Sequence, residues 1–510
     1  MKIRLPDRPK IKLTQSTDKL VRRSFDRLEH VIILAPKEIK ASAWKDVPYG
    51  SNLQKLLRRK DAKKAGTFLS SRFDNTAQTG ATLGFLETKA SAFELLSQAR
   101  EIVALAMKDN PASLGILVPG ASPGQIGRFV EGLVAATWAA ALRLPSFKAK
   151  AQAPLRLKSV RLLGLPHKQD LSRTLAEAEG NGLARYLTAL PTNQLTPAHF
   201  RQCAAELAEL HGWRMRFLDE KRLGKLGAGA FLAVGQANPR PDGGLVHLQY
   251  RPPNRKKSKP KVALVGKGIC FDTGGTNLKP FKSMLHMHQD MEGAAVALGT
   301  LLALSRLKVD FAVDCWLALA ENLIGSRAYK PQDLIVARNG VSIQVVHTDA
   351  EGRMVLADTL TLAAEEKPSL VVDYATLTGA CVAALTTRYS GAFSNYPGSH
   401  EVLIRAGRQS GERVWPFPLD EDFDADLSSD VADVMQCSES NEGDHILAAR
   451  FLGRFVPKST PWIHLDLAAG QHKGGLAHIP TEITGFGVRY TLNLLLDQRV
   501  HEQWAVGPSE

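Results

Sequence analysis

The predicted fold depends on three consecutive segments: KVALVGKG (residues 261–268), MEGAAVALGTLLALSRL (291–307) and FAVDCWLALA (311–320). The first and third are short and almost continuously apolar, which is typical of strands buried on both faces of a sheet. The segment between them is long enough to be a buried helix. This strand, helix, strand order predicts a parallel sheet with helices on both faces.

The same alternation continues along the chain, with strands predicted at SIQVVHT (342–348) and SLVVDYATLTG (369–379) and a helix at MVLADTLTLAAEE (354–366). The predicted fold class is therefore α/β, with a doubly wound, mostly parallel sheet in the larger domain. In such sheets, binding sites form in the loops that follow the strand ends.

The 510-residue chain is too long for one ordinary core, and its 44% hydrophobic content is enough for two domains. Strand-like runs at HVIILA (30–35) and LGILVP (114–119) alternate with helical patterns and predict a smaller N-terminal α/β domain over 1–170. A linker helix is expected over 171–192. The two prolines of PTNQLTP (191–197) then mark the start of a larger catalytic domain over 193–510.

Composition restricts the class of protein further. The longest apolar runs are far shorter than the ~20 residues that span a bilayer, and the N-terminus has no apolar signal segment, so we expect a cytoplasmic protein without a membrane partner. The five cysteines are odd in number and form no CxxC pair, which argues against disulfides and against a thiolate zinc site. They are expected to be small buried side chains.

The net charge of +14 is concentrated in one part of the chain. Residues 1–170 hold 30 Lys and Arg against 14 Asp and Glu, whereas residues 171–510 carry −2. The densest basic runs are KLLRRKDAKK (55–64) and RKKSKPK (255–261). Each run is either solvated surface or part of a site that binds DNA or another polyanion, and the basic N-terminal domain is the main candidate for such a site.

Acidic side chains follow the predicted strands in three segments: VGKGICFDTGGTNLKP (265–280), HMHQDMEG (286–293) and HTDAEGRMVLADTL (347–360). They supply Asp272, Asp290, Asp349 and Glu351. Four converging carboxylates repel one another unless cations compensate them, and oxygen-rich sites suit Mg, Mn or a zinc pair. Asp358 lies farther along a predicted helix and is interpreted as a structural partner.

Two histidines leave a competing interpretation open. His286 and His288 form an HxH pattern that an amidohydrolase-type enzyme could use to bind metal. They precede a helix instead of lying on a strand, so we favour the carboxylate site.

The chain resembles the leucyl aminopeptidase (cytosol aminopeptidase) family, whose members are hexameric, two-metal exopeptidases. HTDAEGR matches the family signature NTDAEGR in six of seven positions. The accompanying motifs occur in the family's order from about residue 185 to the C-terminus: VGKGICFDTGG, NLKP, QDMEGAA, ENLIGSRAYKPQD, LADTL, DYATLTGA and HLDLAAG.

This resemblance implies a ligand set for two divalent ions per subunit, Mn²⁺ or Zn²⁺. Asp272 and Glu351 would bridge the two ions. Lys267 and Asp290 would complete the tighter site, and Asp349 would belong to the more exchangeable one. Lys267 would have to be neutral to bind a metal, which adjacent dications favour by lowering its pKa.

The resemblance also implies an activity: release of N-terminal amino acids, leucine and other apolar residues favoured, from peptides by a metal-activated water. Two residues would be catalytic without binding metal. Lys279 would polarise the scissile carbonyl, and Arg353 would hold a bicarbonate that acts as general base. A pocket for the first side chain is implied at Met287, Thr376, Gly379 and Ala468.

Two positions depart from the family pattern. His347 replaces an asparagine, so the contact that orients Asp349 is expected to differ. Cys270 replaces a threonine between Lys267 and Asp272. Neither change removes an implied ligand or catalytic residue, so we expect a peptide hydrolase, and by resemblance a homohexamer.

Overall fold

The computed structural model describes residues 5–6, 9–57, 67–150, 153–252, 261–440 and 442–504. Most of the basic run at 55–64, and all but the last residue of the run at 255–261, lie outside the described residues. The chain divides into two compact units. One contains Asp7–Ala178 and Lys473–Glu482, and the other contains Glu179–His472 and the C-terminal segment from Ile483. The boundary falls within one helix, Ser172–Thr188.

The N-terminal unit is built on a six-stranded sheet with the order β1-β6-β5-β2-β4-β3, in which only β3 is antiparallel to its neighbour. Its strands and helices are β1 (Lys12–Gln15), β2 (His30–Pro36), α1 (Gly50–Leu56), β3 (Leu69–Arg72), β4 (Gly80–Leu86), α2 (Ala92–Met107), β5 (Ser113–Leu117), α3 (Pro123–Ala141) and β6 (Ser159–Leu162).

Central strand β2 explains why the predicted strand there is continuously apolar. Ile32 and Leu34 pack into one hydrophobic cluster, with α2 and α3, whereas Val31 and Ile33 pack into a second cluster on the opposite face. Both faces of this sheet are therefore covered, and no polar alternation is visible in the sequence.

The C-terminal unit contains an eight-stranded sheet with the order β15-β14-β17-β13-β9-β10-β8-β7. Its strands are β7 (Arg214–Asp219), β8 (Gly244–Tyr250), β9 (Lys261–Asp272), β10 (Ala312–Asn322), β13 (Leu370–Ala375), β14 (Ser390–Ser394), β15 (Val414–Pro416) and β17 (Trp462–Asp466). The central strands β17, β13, β9 and β10 are parallel, as predicted, and the antiparallel pairs lie toward the two edges.

Helices cover this sheet, and they match the predicted alternation. They are α4 (Ser172–Thr188), α5 (Pro197–His211), α6 (Glu220–Lys225), α7 (Gly229–Gly235), α8 (Phe281–Met284), α9 (Glu292–Arg306), α10 (Glu351–Glu365), α11 (Gly379–Leu385), α12 (Ser399–Ser410), α13 (Asp444–Gly453), α14 (Val488–Leu496) and α15 (Val500–Gln503). The α/β fold class is thus confirmed.

The strand predicted at SIQVVHT is shorter than expected and lies in a separate sheet. Only β12 (Ser342–Gln344) is a strand, and it pairs with β11 (Leu334–Val336) and β16 (Val434–Met435). The chain leaves the sheet after it because the backbone N–H groups of Val346 and His347 donate to Oε1 of Gln436 instead of to a neighbouring strand.

The parallel strands place the predicted acidic segments at one edge of the sheet. Asp272 ends β9 and is paired in register with Asn322, which ends β10. Helix α10 begins at Glu351, earlier than predicted, so Glu351 and Arg353 both lie in its first turn.

Two further expectations concern the cysteines and the membrane. All five cysteines are buried and free, as predicted. Within the described ranges, no helix combines the length and the apolar character needed to cross a bilayer.

Helices α4 and α9 cross at two glycines. A Cβ added to Gly299 would lie 2.4 Å from the carbonyl oxygen of Gly180, so Gly299→Ala must push the two backbones apart. We expect the substitution to lower the free energy of unfolding by about 1–3 kcal/mol, the usual effect of overpacking. Urea unfolding followed by circular dichroism measures the change.

Gly224→Ala is the matched control, since the nearest atom to an added Cβ in helix α6 lies 3.8 Å away. This variant should be as stable as the unmodified protein or slightly more stable. Equal unfolding midpoints for Gly299→Ala and Gly224→Ala would contradict the crossing described here.

Candidate metal centre

Lys267 is the more deeply buried of the two lysines at the candidate site. It lies on β9, and its Nζ is 2.8 Å from Oδ1 of Asp290 and 2.9 Å from Oε1 of Glu351. Nζ also donates to the carbonyl oxygen of Thr376, at 3.1 Å. Burial opposes the charge, but Asp290 and Glu351 outweigh it and raise the pKa of Lys267. One ammonium therefore joins two carboxylates.

Lys279 joins the other two carboxylates. Its Nζ is 2.8 Å from Oδ2 of Asp272 and 2.5 Å from Oδ1 of Asp349. Burial again opposes the charge, and Asp272 and Glu351 raise the pKa of Lys279. The structure thus brings all four predicted carboxylates together with both predicted lysines.

The loop that carries Asp272 is fixed by polar contacts. Oδ1 of Asp272 accepts hydrogen bonds from Nδ2 of Asn322 and from the backbone N–H of Gly274, both at 2.8 Å. Gly274 has φ +86° and Gly275 has φ +65°, left-handed conformations that glycine adopts without strain. The turn therefore requires glycine at both positions.

Thr348 holds the HTDAEGR segment against this loop. Its hydroxyl donates to the carbonyl oxygen of Gly274 at 2.6 Å. Its carbonyl oxygen accepts from the hydroxyl of Tyr329, at 2.7 Å, and from Nδ2 of Asn322, at 3.0 Å. Asn322 therefore contacts both acidic segments and sets their separation.

Burial and the crowding of like charges raise the pKa of Asp290, Asp349 and Glu351. Burial and the neighbouring Asp272 raise the pKa of Asp349 to about 7 and that of Glu351 to about 8. Burial also raises the pKa of Asp290, against the opposing effect of Lys267. Four carboxylates face only two ammonium groups, so the site lacks positive charge.

The residues present fit a metal ion. Asp272, Asp290 and Glu351 each offer one oxygen, and these oxygens lie within 4.8 Å of one another. Oδ2 of Asp290 and Oε2 of Glu351 are buried and have no hydrogen-bond partner among the described residues. Buried, unpaired carboxylate oxygens are costly unless a cation binds them.

Arg353 lies in the first turn of α10, two residues after Glu351, and its side chain is 2% exposed. Nη2 is 2.7 Å from Oδ1 of Asp444, and Nη1 donates to the carbonyl oxygen of Gln436 at 3.2 Å. The guanidinium that was expected to hold a bicarbonate is therefore in contact with a carboxylate of the chain itself.

His347 contacts the backbone of the motif. Its Nδ1 accepts from the N–H of Asp349 at 3.3 Å, and burial together with Lys279 lowers its pKa. It is not part of the carboxylate cluster found among the described residues. His347 thus acts on Asp349 through the main chain.

Three of the four predicted pocket residues follow β13 or β17, and the fourth, Met287, comes from another loop. Thr376 follows β13 and donates its hydroxyl to Oδ1 of Asp290 at 2.7 Å, which ties this part of the pocket to the carboxylates. Gly379 begins α11 and is exposed, Ala468 is buried after β17, and Met287 is half-buried in the turn before Asp290.

The remaining residues singled out in the sequence lie outside the carboxylate cluster. His286 and His288 have ring centroids 6.4 Å apart, and neither belongs to the carboxylate cluster of the described residues. Asp358 accepts hydrogen bonds from the backbone N–H groups of Phe231 and Arg338, so it is a structural partner, as predicted. Cys270 is buried in β9.

Sequence reasoning missed Asn322, Tyr329, Gln436 and Asp444. Asn322 lies two residues after the strand predicted at 311–320, and a polar residue directly after a predicted strand was a usable signal. Gln436 and Asp444 come from a part of the chain that has no recognisable pattern. They reach the site only through tertiary folding.

An α/β sheet whose strand ends gather four carboxylates around two lysines defines the class of protein: one equipped to bind divalent cations. The family model described as "Cytosol aminopeptidase family, catalytic domain" matches residues 182–492, which are more than half of the chain. The chain belongs to the cytosol aminopeptidase family.

Individual relatives agree with this assignment. The probable cytosol aminopeptidase of Persephonella marina is 39% identical over 323 residues, which are 63% of this chain and 64% of that protein. That of Stutzerimonas stutzeri is 41% identical over 340 residues, 64% of this chain and 68% of that protein. The matched region thus spans just under two thirds of the first of these relatives.

Two solved structures resemble the chain over most of its length. One is a tomato leucine aminopeptidase mutant, with a TM-score of 0.83 and 27% sequence identity. The match covers 96% of this chain and 97% of the tomato chain. The bottromycin maturation enzyme BotP in complex with Mn has a TM-score of 0.79 at 30% identity, with coverages of 92% and 99%.

The raised carboxyl pKa values predict how the metal-free protein responds to pH. Asp349 and Glu351 ionise near pH 7 and 8 in the folded chain, but near pH 4 when unfolded. Their contribution to stability is therefore present at low pH and is lost as the pH rises through 7 and 8. Urea unfolding of chelated protein should show a midpoint that falls from about pH 4 to about pH 8 and then levels off.

Glu351→Gln is the control, because it removes one of the two ionising groups but keeps the shape of the side chain. Its unfolding midpoint should fall less over the same interval. Identical pH dependence in the variant and the unmodified protein would show that these carboxyls do not carry the effect.

Proposed function

We propose that this chain is a metal-dependent aminopeptidase that releases N-terminal amino acids, leucine and other apolar residues favoured, from peptides. The observation that carries the proposal is the convergence of Asp272, Asp290, Asp349 and Glu351 around Lys267 and Lys279. Family membership supports the same activity.

Two divalent ions, Mn²⁺ or Zn²⁺, would bind here. The carboxylates already pair off around two separate ammonium groups, so positive charge is held at two points. Asp272 and Glu351 would bridge the ions, Lys267 and Asp290 would complete one site, and Asp349 would belong to the other. Carboxylate oxygens suit Mn²⁺ and are also accepted by Zn²⁺, and the similar BotP structure contains Mn.

The metal pair would supply an activated water at neutral pH. The lysines have different tasks. Lys267 would lose its proton on binding a metal, since only the neutral amine has a free electron pair. Lys279 would keep its proton and donate a hydrogen bond to the scissile carbonyl oxygen, where negative charge develops.

The pocket for the first side chain would be formed by Met287, Thr376, Gly379 and Ala468. A Cβ built at Gly379 meets no atom within 4 Å, so the space beside it is open. The hydrogen bond from Thr376 to Asp290 would keep this pocket at a fixed distance from the metals.

Arg353 would hold the anion that accepts a proton from the water. The family resemblance names bicarbonate, and binding it would require the guanidinium to exchange Asp444 for the external anion. The alternative is that Asp444 stays and is itself the anion.

We further propose, on the family resemblance, that the chain works in the cytoplasm as a homohexamer. Light scattering of the purified protein tests the assembly. A mass of one chain at micromolar concentration would contradict it.

Hydrolysis of a panel of aminoacyl amides and dipeptides tests the activity. Chelated protein should be inactive, and added Mn²⁺ or Zn²⁺ should restore cleavage after the first residue. Lys279→Ala should reduce kcat about 10²–10³-fold, the usual effect of removing one group that stabilises an oxyanion.

Lys458→Ala is the matched control, since this lysine pairs with Glu421 at 2.9 Å but is 94% exposed and plays no part in the site. It should leave kcat unchanged. If no substrate of the panel is cleaved after metal is restored, the proposed activity is wrong.

A second candidate function is binding of DNA or another polyanion by the basic N-terminal unit. An open cavity of about 760 Å³ in this unit is lined by Lys12, Lys19, Arg23, Arg27 and Arg161, with two acids, Asp18 and Asp26. The cations outnumber the acids, as in the sequence of residues 1–170 as a whole.

Gel retardation of duplex DNA at low salt tests this candidate, because polyanion binding is strongest there. Combined Lys19→Ala, Arg23→Ala and Arg27→Ala should weaken retardation without changing peptide hydrolysis. Lys279→Ala should leave retardation unchanged. If the unmodified protein retards no DNA at low salt, the candidate is wrong.

A further inference from the structure

Arg353 binds an anion that the chain supplies. Its buried guanidinium uses Nη1 on the carbonyl oxygen of Gln436 and Nη2 on Oδ1 of Asp444. Nε is buried and has no hydrogen-bond partner among the described residues. A guanidinium keeps its charge at any ordinary pH, so this buried cation needs an anion beside it. Asp444 is the carboxylate in that position.

Asp444 differs from the four carboxylates of the metal cluster. Those pair with lysines, whereas Asp444 pairs with an arginine and does not belong to the cluster found among the described residues. Its side chain is 26% exposed although its partner Arg353 is 2% exposed. The carboxylate therefore reaches a buried cation and solvent at once.

The position of His347 places this pair beside the candidate catalytic lysine. The backbone N–H of His347 donates to Oε1 of Gln436, the residue whose carbonyl oxygen accepts from Arg353. Nδ1 of His347 accepts from the N–H of Asp349, whose Oδ1 is 2.5 Å from Nζ of Lys279. These contacts connect the Arg353–Asp444 pair to Lys279 through one histidine. Arg353 is also two residues from Glu351 on the same helix.

We propose that Asp444 is a built-in general base that replaces a bicarbonate or other soluble anion at Arg353. The inference rests on the proposed peptide hydrolysis. The Asp444 carboxylate accepts one proton from the attacking water as the water oxygen bonds to the carbonyl carbon and the C=O π electrons move to the carbonyl oxygen. When those electrons form the C=O bond again, the C–N bond breaks, its electrons pass to nitrogen, and Asp444 returns the proton to the departing amine.

A tethered carboxylate has an advantage over a soluble one. It meets the guanidinium at an effective concentration that a millimolar anion does not match. An external anion would have to break a buried, charge-assisted hydrogen bond before binding. The hydrolysis is therefore independent of added bicarbonate.

Removal of the side chain, with anions added back, tests the inference. Asp444→Ala should lower kcat about 10²–10⁴-fold, the usual contribution of a general base. Bicarbonate, formate or acetate should then restore part of the rate in proportion to its concentration. The same anions should leave the rate of the unmodified protein unchanged.

Calorimetric titration of bicarbonate and formate provides a second readout that needs neither metal nor activity. Metal-free Asp444→Ala should bind these anions, and the unmodified protein should not. Adding Arg353→Met to Asp444→Ala should abolish the binding. Asp444→Asn keeps the shape of the side chain but removes its charge. It should also lose activity, which would show that the loss in Asp444→Ala does not result from misfolding.

Asp424→Ala is the matched control. Asp424 pairs with Arg450 at 2.6 Å, its side chain is 31% exposed, and Arg450 lies on the same helix as Asp444. This variant should keep its kcat and should bind no added anion.

Stimulation of the unmodified protein by bicarbonate would overturn the inference, as would full activity of Asp444→Ala without added anion. Failure of the proposed hydrolysis looks different: the unmodified protein would cleave nothing after metal is restored. In that case calorimetry would still show whether Asp444 occupies the anion site at Arg353. Equal anion binding by the unmodified protein and Asp444→Ala would show that Asp444 does not fill it.

Discussion

The electrostatic repulsion among four carboxylates at one edge of a sheet is the constraint on which the rest of this structure depends. Asp272, Asp290, Asp349 and Glu351 come from three segments of the chain, and each is held in place by hydrogen bonds or ion pairs. Two lysines reduce the repulsion without removing it, and burial together with the neighbouring carboxylates still raises the pKa of Asp349 and Glu351. The folded chain is therefore built around a deficit of positive charge.

The architecture explains how such a cluster is tolerated. Parallel strands β9, β10 and β13 bring their carboxyl ends to one edge, and burial of these strands on both faces supplies the apolar contacts that offset electrostatic strain. Asn322 is paired in register with Asp272 and also reaches the Thr348 loop. The side-chain amide of Asn322 thus fixes the positions of two acidic segments relative to each other.

Much of this could be predicted from the sequence, for identifiable physical reasons. Strands β9 and β10 are recognisable because burial on both faces leaves them continuously apolar, and the HTDAEGR motif is recognisable because its residues are contiguous. The strand predicted at 342–348 is too long, because the backbone N–H groups of Val346 and His347 donate to the side chain of Gln436 and not to a neighbouring strand. The Arg353–Asp444 pair could not be predicted because its partners lie 91 residues apart. An aspartate that begins a helix is also unremarkable in sequence.

The start of helix α10 has a consequence for the mutational tolerance of the motif. A Cβ added to Gly352 would lie 2.6 Å from Cε and 2.7 Å from Nζ of Lys267. That lysine cannot move aside, because Asp290, Glu351 and the Thr376 carbonyl hold its amine. Libraries that diversify this segment to alter substrate preference should therefore keep position 352 as glycine and place their variation on the pocket side.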